Sequence, residues 1–97
     1  MTRLSYSELA LSDIEEILDY ISRDKPSAAI DFVESILDQC EALATHPELG
    51  IKQEHLARSL RMLVHRGYRI YYRWEHDEVK IERVLHPGRS IGAAAFE

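Results

Sequence analysis

Hydrophobic positions along this chain follow two periods, and the switch between them divides it. In the first half, Leu11, Ile14, Ile17, Leu18 and Ile21 fall on one helical stripe, with Asp13, Glu15, Glu16 and Asp19 largely around it. Two serines compete to start this helix. Ser7 can cap it, and Ser12-x-x-Glu15 has the spacing of a capping box; we place the start near residue 8. The stretch SRDKP at 22–26 breaks the pattern, because Pro26 disfavours helical geometry at Lys25. The same proline suits the first turn of a second helix, with Asp24 or Lys25 near its cap. There Ala29, Phe32, Val33, Ile36, Leu37, Cys40, Leu43 and Ala44 form a continuous apolar stripe that ends at His46-Pro47. Two helices joined by so short a break are expected to pack as an antiparallel hairpin.

The second half alternates with a period of two. After a loop at 47–59, three strands are predicted at 60–65, 68–75 and 78–86, with Arg66-Gly67 and His76-Asp77 as the turns. A short first strand, TRLSY at 2–6, precedes the helices. The predicted architecture is β-α-α-β-β-β, class α+β, with the helical hairpin on an antiparallel sheet and residues 1–97 as a single domain. In the strand from 68, Arg69, Tyr71 and Arg73 share one face. In the strand from 60, Arg61, Leu63 and His65 alternate with Leu60, Met62 and Val64. The face turned away from the helices is therefore expected to carry Arg61, Arg69 and Arg73 interleaved with Leu63, Tyr71 and Val84. Such a half-apolar, half-cationic surface suits an acidic, apolar peptide; the competing reading is a solvated sheet face with ordinary cross-strand packing.

Charge sharpens this division. The chain is acidic, net −5, but residues 1–50 carry 11 acids and 3 bases, whereas residues 51–97 carry 6 acids and 9 bases. Two surfaces with different tasks follow from that asymmetry. The overall balance is not that of a free-standing nucleic-acid binder. No apolar run approaches the roughly 18 residues of a membrane span, and MTRLSYSELA lacks a secretory apolar region. One cysteine, Cys40, forms no intrachain disulfide, which fits a reducing cytoplasm.

Most chemical motifs are absent. Cys40 lies on the apolar stripe of the second helix, the place of a structural thiol. His46, His55, His65, His76 and His86 show no metal-ligand spacing, and no glycine loop cradles a nucleotide, so neither metal nor cofactor is expected. What remains is Arg61, Arg69, Arg73, Arg83, His86 and Arg89. Guanidinium groups beside a histidine can stabilise a phosphoryl transition state while the imidazole moves a proton. A plain surface-charge role stands beside that reading.

The segments DKPSAAIDFVESI, HPELG and RSLRMLVHRGYRIYYRWEHDEVKIERVLHPGRSI, in this order, closely resemble the RelE/ParE superfamily of bacterial toxins. The most specific pieces are RSL at 58–60, GYRIYYR at 67–73 and RVLHxxR at 83–89. The long hairpin and the HPELG helix end resemble the ParE branch. The resemblance implies a cytoplasmic toxin of a type II toxin–antitoxin system that inhibits DNA gyrase, arrests growth and stabilises plasmids. It implies a cognate ParD-like or other DNA-binding antitoxin in a hetero-oligomer, with no membrane and no free nucleic acid as partner. Under it, Arg61, Leu63, Arg69, Tyr71 and Arg73 are assigned to the antitoxin, and Arg83, His86 and Arg89 to the target. The alternative is a RelE-type ribosome-dependent mRNA endonuclease using Arg69, His86 and Arg89. Leu60 and Met62 stand where that branch carries lysines, which weighs against it.

Overall fold

Ser7 decides where the first helix begins. Its backbone is extended and its hydroxyl oxygen accepts from the Ala10 N–H at 3.0 Å, the geometry of an N-cap. The same hydroxyl donates to the Glu82 carbonyl at 2.8 Å, so one serine both starts a helix and fastens it to a strand. Ser12 does not cap. The computed structural model describes residues 2–89 and 91–96; Ser90, within the RVLHPGRSI stretch, lies outside the described residues.

The elements are β1 (Arg3–Tyr6), α1 (Glu8–Ser22), α2 (Pro26–Thr45), a 3-10 turn (Pro47–Leu49), β2 (Ile51–Lys52), β3 (Leu60–His65), β4 (Tyr68–Glu75), β5 (Glu78–Leu85) and a second 3-10 turn (Ala93–Phe96). The helical hairpin and the three long strands match the sequence pattern. Two features differ from it. The expected loop at 47–59 contains β2, which pairs antiparallel with Arg61 and Met62. The sheet, ordered β1-β5-β4-β3-β2, is mixed, because β1 runs parallel to β5. Strand pairing is non-local: β1 meets the last strand, about 75 residues downstream, and nothing within TRLSY records that partner.

Proline and turn chemistry set the connections. Pro26 occupies the first turn of α2, where its missing N–H has no helical partner to lose. Arg66 and Gly67 both take positive φ (49° and 85°), the twist a two-residue hairpin needs, and pair His65 with Tyr68. That register fixes which residues of β3 and β4 share a face.

Two apolar clusters sandwich the sheet. The larger lies under the helices: Ala10, Ile14 and Ile17 of α1 and Ile36 and Cys40 of α2 meet Ile70, Tyr72, Val79, Ile81 and Val84. Cys40 is fully buried, and burial pushes its thiol up to about 11, which leaves it an inert hydrophobe. The smaller lies on the opposite face, where Leu60, Tyr71 and Leu85 are covered by Phe96 of the C-terminal turn.

The HPELG element owes its glycine to the larger cluster. The buried Tyr72 hydroxyl donates to the Pro47 carbonyl at 2.6 Å and accepts from the Gly50 N–H at 2.8 Å. A Cβ on residue 50 would fall 2.5 Å from that hydroxyl oxygen. Only glycine permits so close an approach.

Candidate functional site

Three groups of residues carry the candidate chemistry: the sheet face away from the helices, the joint between α1 and β5, and the end of the molecule where β5 runs into His86.

On the first, the strand register corrects the expected face. Arg61 lies opposite Tyr72 and Leu63 opposite Ile70, and both Tyr72 and Ile70 belong to the helix-side core. Arg61 and Leu63 therefore sit on the helix side, and Leu60, Met62 and Val64 occupy the far face. Val84 is corrected in the same direction. A bulge between Tyr71 and Tyr72 leaves Glu82 as an extra residue in β5, so Ile81 and Val84 both face the helices although three positions apart. Arg69, Tyr71 and Arg73 do lie on the far face, but two of them are engaged by the chain's own tail. Tyr71 is buried against Phe96, ring centroids 5.2 Å apart. Arg73 Nη2 donates to the Phe96 carbonyl at 2.6 Å, while its Nε stands 3.7 Å from the Glu82 carboxylate with no hydrogen-bond partner. Arg69 is half-buried, flanked across the strands by the exposed Val64 and by Leu85. Arg61 spans the sheet edge instead, donating to the Gly50 carbonyl at 2.9 Å and lying over Trp74 at 5.4 Å.

The second group centres on a residue that sequence reasoning placed around the apolar stripe, outside it. Asp13 is buried, only 6% exposed. Its carboxylate accepts from Arg83 Nε at 2.8 Å, from Arg83 Nη2 at 3.0 Å and from the Val84 backbone N–H at 3.0 Å. These bonds resolve a structural problem. β1 pairs β5 only as far as Ile81, and beyond it the edge of β5 would present an unpaired N–H; Asp13 supplies the missing acceptor. The carboxylate hydrogen bonds raise the Arg83 pKa above its usual value, outweighing the opposing pull of burial. Arg83 is thus directed inward. A signal for Asp13 was present in the sequence: it lies three residues after Ala10 and four before Ile17, on the stripe itself.

The third group is aromatic. The His86 ring meets Tyr20 of α1 edge-on at 5.5 Å and Tyr68 of β4 at 5.3 Å. Phe32 of α2 packs on Tyr68 at 4.9 Å and on His65 at 6.0 Å, with the Arg66 guanidinium 5.9 Å from its ring. His65 Nε2 lies 2.9 Å from the Ser35 hydroxyl, which itself donates to the Phe32 carbonyl at 2.6 Å; Nε2–H is accordingly the donor to Ser35. Burial, aided by the neighbouring Arg66, lowers the His65 pKa below the ordinary histidine value. Arg89, after the turn, is exposed.

The residues considered for phosphoryl chemistry are therefore not brought together. His86 packs on the helix side, whereas Arg69 shares the face of Tyr71 and Arg73. Among the described residues, no three His, Cys, Asp or Glu side chains converge to hold a metal ion. Among the described residues, no helix is long and apolar enough to cross a membrane.

Comparison with known proteins agrees with this architecture. A family model described as "ParE toxin of type II toxin-antitoxin system, parDE" matches residues 4–91. Among solved structures, the chain is similar to one from the "Chromosomal ParDE TA system from P. aeruginosa". The TM-score is 0.78 at 21% identity, covering 90% of this chain and 97% of that one, a likeness of fold. No curated protein matches the chain.

Proposed function

We propose that this chain, which belongs to the ParE toxin family of type II toxin–antitoxin systems, arrests growth by binding DNA gyrase and is neutralised by a cognate ParD-like antitoxin in a cytoplasmic hetero-oligomer. The observation that carries the proposal is the family match over residues 4–91, which includes every candidate site residue. Two features support a binding mode of action over mRNA cleavage. Arg69 and His86 lie on opposite faces of the sheet. The His86 ring is packed between two tyrosines, and among the described residues it forms no ion pair with a carboxylate.

In this reading His86 and Arg89 contact the target and Arg83 holds the strand that presents them. The antitoxin takes the far face around Arg69 and Val64. A flexible antitoxin segment would order on binding and recover that entropy by burying apolar area there.

The test is induction of the toxin without antitoxin, with thymidine and methionine incorporation followed over the first minutes. Early loss of DNA synthesis, followed by inhibition of gyrase supercoiling by the purified chain, is the expected result. Early loss of protein synthesis with cleaved mRNA would replace the proposal with the endonuclease.

A further inference from the structure

Three connections meet at one end of the molecule: residues 23–25 between the helices, 66–67 between β3 and β4, and 86–89 after β5. Side-chain contacts bring them together. Tyr20, near the end of α1, meets His86; Arg66 lies over Phe32, near the start of α2. Pro87 lies against Gly67, close enough that a Cβ there would come within 3.1 Å of it. These nine residues hold Arg23, Lys25, Arg66 and Arg89 and a single acid, Asp24. The rest of the chain holds eight bases against sixteen acids. A protein of net charge −5 thus concentrates +3 on one small end and leaves −8 elsewhere.

The same end has an apolar recess. A surface cavity of about 480 Å³ opens between Tyr20, Ile21 and Ala28, with Arg23, Asp24 and Lys25 around it. Its size is in the range of pockets that seat a side chain or small ligand. Tyr20 is 63% exposed, a large aromatic residue left in water beside cations.

The two features together select the partner. Single-stranded nucleic acid needs free aromatic faces to stack on. Here Phe32 packs on Tyr68 and Tyr68 on His86, so that Tyr20 offers one exposed ring in place of a series, and a long polyanion would meet the acidic remainder of the molecule. A short acidic protein segment answers both demands, carboxylates to the guanidinium groups and one apolar side chain to the recess.

We propose that this end docks an acidic protein segment with one bulky apolar residue, which enters the cavity beside Tyr20 while flanking carboxylates pair with Arg23, Arg66 and Arg89. The proposal rests on the toxin reading only in taking the inhibited target as the protein that carries the segment. The surface chemistry is tested without it.

The experiment measures fluorescence anisotropy of a short labelled peptide of Asp and Glu around a central leucine, titrated with the full chain. A matched peptide with serine for leucine and a short oligothymidylate are run beside it. The leucine peptide is expected to bind best. Tyr20→Ala is expected to erase its advantage over the serine peptide. Arg23→Glu with Arg66→Glu is expected to weaken both peptides by about tenfold, the equivalent of one good contact. Lys80→Glu, an exposed charge on β5, is expected to leave binding unchanged. Tyr20, Arg23, Arg66 and Lys80 are all exposed, and thermal melts matched to the parent establish that each variant is folded. Equal binding of the two peptides, tighter binding of the oligonucleotide, or no binding of the leucine peptide would each overturn the proposal. None of these readouts uses growth arrest or gyrase, so the proposal and the toxin reading fail separately.

Discussion

The two faces of the sheet bury apolar residues in different ways. Under the helices, the core draws on both α1 and α2, and its polar groups are matched: the Tyr72 hydroxyl has two partners and Asp13 has three. On the far face, Leu60, Tyr71 and Leu85 are covered by Ala95 and Phe96 of one short 3-10 turn, with Ile91 before it and Leu56 and Ala57 of the loop before β3, and the turn is tied to the sheet by a hydrogen bond from Arg73 to the Phe96 carbonyl. The Nε of that same arginine has no hydrogen-bond partner among the described residues and stands 3.7 Å from the Glu82 carboxylate. The difference is one of redundancy. A helix that leaves the sheet breaks many contacts at once, whereas the tail is fastened by few and belongs to the end of the molecule that can open locally.

Removing the joint of the helix-side face is expected to have the largest effect. Asp13→Ala leaves the Arg83 guanidinium and the Val84 N–H buried without an acceptor, and should cost about 3–5 kcal/mol. A shift in the denaturant midpoint with unchanged slope measures it. Asp13→Leu combined with Arg83→Met should recover much of that loss, because the unpaired charge disappears with its partner. Full stability in Asp13→Ala would show that the two faces are fastened alike.

A smaller effect is expected on the far face. Phe96→Ala should cost about 2 kcal/mol, below the range for a phenylalanine in a closed core, because the tail can move away and leave no cavity behind. Hydrogen exchange should then quicken around Leu60 and Leu85 while the amides of Ile17 and Ile36 stay protected. If the helices open as well, the two clusters form one cooperative unit and the contrast fails.

The smallest expected effect concerns pH. His65 has a folded pKa below its ordinary 6.5, through burial and Arg66. The unfolded chain therefore takes up this proton at a higher pH than the folded one does. Its contribution to stability is present above pH 6.5 and declines as pH falls toward the folded value. Melting temperature should drop on acidification through this window, and His65→Gln should remove that component. An unchanged acid limb in the variant would assign it to other groups.

Much of this fold was legible because its helices and strands obey their periods. Ile14 and Ile17, or Ile36 and Cys40, could serve no other purpose at helical spacing. The face of β3 was not legible, and the reason is specific. Alternation shows that Leu60, Met62 and Val64 share one side, but with both sides covered, the apolar side is not marked as inner. Only the His65–Tyr68 pairing across the turn decides it. Arg61 and Leu63 were misassigned for that reason, and Val84 because a bulge shifts parity without leaving a sign in EVKIERVL. The candidate site divides in the same way. His86 and Arg89 are recognisable beside a strand end, whereas Asp13 is distinguished from its acidic neighbours only by three hydrogen bonds from two residues of another element.

By itself, then, the sequence determined what depends on near neighbours: helix lengths, the break at Pro26, the hairpin turns, the inert Cys40, the acidic first half and the basic second. Tertiary structure alone decided what depends on distant ones. It paired β1 with β5, closed the tail over Tyr71, set Asp13 against Arg83, and brought three separate connections to one end, where Arg23 and Lys25 line a recess beside Tyr20. Local preferences act over a few residues of chain, but pairing, burial and electrostatic neighbourhood are properties of space, and a linear pattern records them only where one contact outcompetes every alternative.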